Sequence, residues 1–383
     1  MPAITEMDTT MPFVYNISPT TNSTPFPTTR PVSTVEIGLV VTVVSIFVII
    51  TTTGNLFTII AFFKDKKIRV NMSNWYLVNL ACADLLVGCI LLPMDAVLFA
   101  YQGSEWLLGE IVCKCLLTVD FIATGCSVCA IILISLDRYR LVTKELHYKM
   151  FQTRKKVLLQ CLPTWIAVTV VVVFLIWAYP HLVSTVFSQN MCDAEFLYHR
   201  EMAIVYSIIT CFVPLTLLLY LNAFVYINVY RRSRRKRGAQ THAAAQIEQD
   251  RSSVAGNTAL TPQTVSYTNL SSLDGKQSTE AAATVGNRPK DRRHVKTAKT
   301  LAVIVGAYLV CWSPYNITLM VTTFHQNEIS VPSAVWNVSL YLLWFNSTLN
   351  PFLYAMCNVR FRQNFKQMLC CACGRRRRYL EER

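Results

Sequence analysis

Charge is scarce in this chain. Only 15% of its 383 residues are Asp, Glu, Lys or Arg, against about 25% in an ordinary soluble domain. Too little charge is available to cover a water-exposed surface of that size, which argues against a soluble enzyme. Glycine is also sparse, and 12 residues rule out a collagen-like repeat. The 14 Cys are spread over too long a chain to be a small disulfide scaffold. What the chain has in excess is apolar side chain, 53% of all residues, which excludes disorder throughout.

The apolar residues are gathered into near-continuous runs at 37–63, 75–101, 112–136, 157–178, 203–230, 300–324 and 335–356. Each exceeds the roughly 20 residues that carry a helix across a 30 Å hydrocarbon core. The expected fold is an all-α membrane protein, a seven-transmembrane-helix bundle. Net charge is +14, and its distribution orients the bundle. Segments 64–69, 138–156, 231–299 and 360–383 hold 33 of the 36 Lys and Arg, leaving only Arg30, Lys114 and Arg200 elsewhere. The positive-inside rule makes those segments cytoplasmic, facing anionic membrane lipids and acidic partners, with an extracellular N terminus and a cytoplasmic C terminus. Nucleic acid is not needed to explain the charge.

Residues 1–34 are rich in Thr, Pro and Ser and read as a disordered extracellular tail, with N-glycosylation acceptors at Asn16 and Asn22. No apolar core of signal-peptide length precedes the first run, so that run is expected to direct insertion itself. Helices one to five are assigned to 35–230, and a largely disordered third cytoplasmic loop to 231–293. Helices six and seven take 294–357, and a short amphipathic juxtamembrane eighth helix with a basic tail takes 358–383. Cys370, Cys371 and Cys373 in that tail read as palmitoylation sites. A metal site is disfavoured there because no His accompanies them.

Polar residues inside apolar helices are costly and mark function by default. Here they are Asn55, Asp84, Asp120, Asp137 with Arg138, Asn346 and Asn350. In this setting the chain resembles the rhodopsin-like (class A) G-protein-coupled receptors, helix by helix. The resemblance is carried by Gly54-Asn55, Leu80-Ala-Cys-Ala-Asp84, Asp137-Arg138-Tyr139, Trp165, Pro214, Cys311-Trp312-Ser-Pro314-Tyr315 and Asn350-Pro351-Phe-Leu-Tyr354. It implies no enzyme chemistry. It implies a disulfide between Cys113 and Cys192, and a switch built on Asp137, Arg138, Tyr139, Pro351 and Tyr354 that engages a heterotrimeric G protein, with arrestin and a receptor kinase as further partners. It also implies a sodium pocket formed by Asp84, Ser127, Asn346 and Asn350, and no other cofactor.

Asp120 lies two helical turns below Cys113, and in the aminergic branch that residue pairs with a ligand ammonium. A cationic small amine is therefore the expected ligand, within Phe121, Thr124, Ser207, Thr210, Trp312, Tyr315, Asn316, Tyr341 and Trp344. The nearest subgroups by resemblance are the muscarinic acetylcholine receptors, favoured by Asn316, and the third and fourth histamine subtypes, favoured by Trp344. Both matches break down at specific residues. Phe121 and Leu340 stand where a muscarinic site has lid tyrosines, and Thr210 stands where the histamine subtypes have Glu. Asp95 reads as a solvated rim charge, with a second anion for a doubly charged amine as the alternative. His294 stands where many relatives carry an acid restraining Arg138, which predicts raised basal signalling, and inhibitory coupling of the Gi/o type is mildly favoured. The alternative from a different class is a small-solute transporter, but the paired repeats with broken helices expected of one are not seen.

Overall fold

The computed structural model describes residues 34–100, 106, 108–183, 192–257, 302–324 and 331–381, and among these it is helical with no strand. The long helices are α1 (Thr34–Lys64), α2 (Ser73–Val97), α3 (Gly109–Thr143), α4 (Arg154–Leu182), α5 (Arg200–Arg232), α6 (Ala302–Phe324), α7 (Ser333–Cys357) and α8 (Val359–Glu381). Helices α1 to α6 are each long and apolar enough to cross a membrane. Helix α7 matches the near-continuous run expected at 335–356 in length, but it is more polar than α1 to α6. Its Ser339, Asn346, Ser347, Thr348 and Asn350 are buried. A membrane helix can carry these groups only by turning them onto its neighbours.

Helix α3 packs against α2, α4 and α5, and α1 packs against α2 and α7. Leu80, Ile131, Leu218 and Tyr308 lie in the interior. Leu159, Ile166 and Val170 of α4 are exposed, as is Ile49 of α1. Exposed aliphatic side chains of this kind would be a liability in water and are the expected surface in hydrocarbon.

Polar bonds fix the packing. Asn55 donates to the carbonyls of Thr51 (2.9 Å) and Ser347 (3.2 Å), and the Thr51 and Thr348 hydroxyls share a bond of 2.6 Å. The Trp165 indole donates to Asn79 across α4 and α2 at 2.8 Å. Gly54 is required by close approach, because a Cβ there would lie 2.8 Å from Cγ of Pro351.

Three helices contain a widened π turn, at Val87–Leu91, Phe174–Ala178 and Ile208–Phe212. Each ends two residues before a proline, Pro93, Pro180 and Pro214. Proline lacks the N–H for the carbonyl four residues back, and its ring crowds that carbonyl, so a wider turn relieves the clash. In α5 the carbonyl deprived by Pro214 is that of Thr210. The Tyr308 hydroxyl, from α6, donates to it at 3.2 Å.

The helix of α5 continues to Asn257, past the boundary at residue 230 and into the segment expected to be disordered. Ala243, Ala244 and Ala245 with their Gln, Glu and Arg neighbours favour helix by intrinsic propensity. The segment lacks an apolar stripe, but a stripe reports packing and not propensity. The tail with Asn16 and Asn22, the remainder of the 231–293 segment from residue 258, and His294 lie outside the described residues. Helix α8 begins one residue past α7 and docks through Phe361, which is fully buried. Asn364 donates to Asp65 between α1 and α2 at 3.1 Å. Burial works against ionisation of Asp65. Bonds from the Lys67 amide and Asn364, with Arg360 nearby, outweigh it and hold the carboxyl below its usual range.

Candidate functional site

Asp120 lies on α3 seven residues after Cys113, whose disulfide to Cys192 (Cα atoms 5.4 Å apart) ties α3 to the loop before α5. The Trp344 indole of α7 donates to Asp120 Oδ1 at 3.4 Å. No ion pair involves Asp120 among the described residues. Beside it, Phe121 meets Phe196 and Tyr206 edge-on, with centroids 5.3 and 5.5 Å away. That trio joins α3, the loop and α5. On the α6 and α7 side, Trp312 stacks on Tyr308 at 5.3 Å, Tyr315 meets Trp336, and Tyr341 meets Trp344.

The hydroxyls expected to serve with Asp120 differ in availability. Thr124 already donates to the Asp120 carbonyl and Thr210 to the Tyr206 carbonyl, at 2.7 and 2.8 Å, so each offers only lone pairs. Ser207 Oγ is fully buried and without a partner among the described residues. Asn316 donates to the Trp312 carbonyl at 3.0 Å, and its Oδ1 is without a partner among the described residues. Tyr206 and Phe196 were not anticipated, because an aromatic inside an apolar run carries no signal of which neighbour it meets. Asp95 is no solvated rim charge. Its Oδ2 is shut off from solvent, and the Tyr341 hydroxyl donates to its carboxylate. In the loop after Cys192, burial lifts the Asp193 carboxyl above its usual range against bonds from the Tyr198 hydroxyl and the Ala194 amide.

A second buried carboxylate sits deeper in the bundle. Asp84 is fully buried, and its Oδ2 accepts from Asn350 at 2.8 Å. Ser127 and Ser347 lie beside it, yet Asp84 Oδ1 and Ser127 Oγ lack hydrogen-bond partners among the described residues. Asn346 is buried one helical turn before Asn350. Orphaned oxygens around a carboxylate are the donor set a small hard cation takes, so these residues fit sodium.

At the Arg138 end, Asp137 accepts from Ser73 of α2 (2.6 Å) and from Tyr148 of the short helix Glu145–Phe151 (2.7 Å). Among the described residues it forms no ion pair, with Arg138 or any other cation. Tyr139 packs on Phe224 of α5, centroids 4.9 Å apart, and Tyr354 is buried beside Phe361. Cys370 is exposed on α8, and Cys371 and Cys373 follow on the same helix.

Fold and site together define a multi-pass helical membrane protein with its polar residues turned inward around buried carboxylates. The chain belongs to the 7 transmembrane receptor (rhodopsin family), whose profile matches residues 54–354. It is thus a receptor and not an enzyme. It is 29% identical over 348 residues to octopamine receptor beta-2R of Chilo suppressalis, covering 89% of this chain and 82% of the relative. It is 29% identical over 354 residues to human 5-hydroxytryptamine receptor 4 (90% and 82%). Against human histamine H4 receptor the identity is 27% over 351 residues (83% and 88%).

Proposed function

We propose that this receptor binds a biogenic amine, with Asp120 as counter-ion of the ammonium, and signals through a heterotrimeric G protein. The observation that carries this reading is the Asp120 carboxylate, inside an apolar bundle, ringed by aromatics and unpaired with any Lys or Arg among the described residues. A charge so situated calls for an external cation. Aromatic faces add about 0.5 to 2 kcal/mol of cation–π attraction each. The low dielectric strengthens the ion pair, while desolvation offsets much of the gain.

The relatives' names are receptors for octopamine, 5-hydroxytryptamine and histamine. Ser207 and Asn316 offer hydrogen-bonding atoms without partners among the described residues. Both observations favour an amine carrying a polar aromatic ring, histamine included. Acetylcholine, expected first from the sequence, keeps only Asn316 in its support and ranks second. Ligand contact at Trp312 reaches α5 through the Tyr308 ring and its bond to Thr210, which suits a rearrangement of α6 that opens a G-protein cavity around Arg138.

The same reading has the N terminus outside the plasma membrane, glycans on Asn16 and Asn22, and palmitate on Cys370, Cys371 and Cys373. Sodium at Asp84, Ser127, Asn346 and Asn350 favours the inactive form, Gi/o is the G protein engaged, and arrestin and a receptor kinase are later partners. A panel of octopamine, tyramine, serotonin, histamine, dopamine and acetylcholine, scored by G-protein activation in transfected cells, tests it. Activation by a ring-bearing amine ahead of acetylcholine is expected. Silence to all six, with the receptor at the surface, would refute the proposal.

A further inference from the structure

The Asp120 reading leaves Asp95 unexplained. Tyr341 and Trp344 are three residues apart on α7 and so share one face. Their rings meet edge-on, with centroids 6.1 Å apart. The Trp344 indole N–H is directed at Asp120, and the Tyr341 hydroxyl donates to Asp95. The two carboxylates therefore flank one aromatic pair. Asp95 Oδ2 has no donor among the described residues and is closed to solvent.

Two negative charges flanking one aromatic pair in a low-dielectric interior are unfavourable unless a cation answers them or one takes up a proton. Among the described residues no Lys or Arg pairs with either carboxylate. Lys114 is held by Glu110, and Arg200 lies over the Phe324 ring at 5.5 Å. In the sequence, residues 98–105, 107, 184–191 and 325–330 contain no Lys or Arg, and the first 33 residues contain only Arg30.

We infer that Asp95 is a second carboxylate of the ligand site, and that the receptor takes an amine with two cationic groups, one on Asp120 and the other on Asp95. The ligand class is a short diamine, or an amine bearing a guanidine or amidine. The anchors Tyr341 and Trp344 are separated by a rise of about 4.5 Å along α7, so the cationic centres are a few methylenes apart. This inference rests on the amine reading of Asp120.

The test uses full-length purified receptor and two probes that differ only in the second cation, 1-aminopentane and 1,5-diaminopentane. Affinity is read from concentration-dependent thermal stabilisation. The diamine is expected to bind wild type about tenfold more tightly, or roughly 1.4 kcal/mol. In Asp95→Asn the ratio falls towards one, and Asp95→Glu restores a preference for the diamine. The ratio is taken within each variant, so partial loss of folded receptor cancels. Should Asp95→Asn not fold, Asp95→Ser serves the same comparison. Equal binding of both probes by wild type, or an unchanged ratio in Asp95→Asn, overturns the inference. If Asp120→Asn weakens both probes while Asp95→Asn leaves the ratio intact, the amine site stands and the second subsite is refuted. If wild type binds neither probe while an amine of the panel activates it, this inference is refuted and the amine reading stands; if Asp120→Asn changes nothing for probes that wild type binds, the amine reading fails and this inference fails with it.

Discussion

Tyr308→Phe removes one hydroxyl and nothing else from a residue that is 1% exposed. That hydroxyl donates at 3.2 Å to the Thr210 carbonyl, which Pro214 cannot serve because it has no N–H. Leaving a buried carbonyl without its donor costs about 1 to 2 kcal/mol. In domains of some 150 to 250 residues about 1 kcal/mol shifts the midpoint by roughly 2 to 4 °C, so a fall of roughly 2 to 8 °C is expected for purified receptor. The second half of the test is Pro214→Ala, which returns an N–H four residues after Thr210. In that background the Tyr308→Phe penalty should shrink, because the restored backbone amide can donate where Tyr308 did. A double-mutant cycle measures that coupling. Wild-type stability in Tyr308→Phe, or an equal penalty in both backgrounds, would refute the account of how α6 is tied to α5.

Three further predictions concern the polar interior and one contact. Gly54→Ala forces a methyl to within 2.8 Å of the Pro351 ring, so α1 and α7 must separate and stability falls by about 1 to 3 kcal/mol; a midpoint at or above wild type would contradict this. Ser73→Ala and Tyr148→Phe each take one donor from buried Asp137. Each should cost about 1 to 3 kcal/mol, with a double mutant that is not the sum of the singles; strict additivity would show that the two donors act independently. Replacing sodium by N-methylglucamine should raise agonist affinity in membranes, and Asp84→Asn should abolish that response. Unchanged affinity with sodium in wild type would remove the ion from the account.

Much of the fold was legible because lipid imposes a simple demand, about 20 apolar residues per crossing, and six helices meet it outright. Helix α7 was legible only approximately, since its buried Asn and Ser residues dilute the run. The three π turns were marked by Pro93, Pro180 and Pro214, but a proline equally permits a simple kink, as Pro163 and Pro351 stand in helices without such a turn at that point. Asp120 could be read from one polar residue in an apolar helix and its register to Cys113. Asp95 could not, since its burial depends on Tyr341, far away in sequence. The same holds for Phe196 and Tyr206, whose roles arise from a loop folding over α3.

The central claim is that the Asp120 carboxylate receives a ligand cation. Its most direct test is the affinity of Asp120→Asn for the most potent amine of the panel, measured on receptor counted at the cell surface by an N-terminal epitope. Removing one partner of a buried ion pair costs about 2 to 5 kcal/mol, so a loss of at least about 30-fold is predicted at equal surface number. Wild-type affinity in Asp120→Asn would contradict the account.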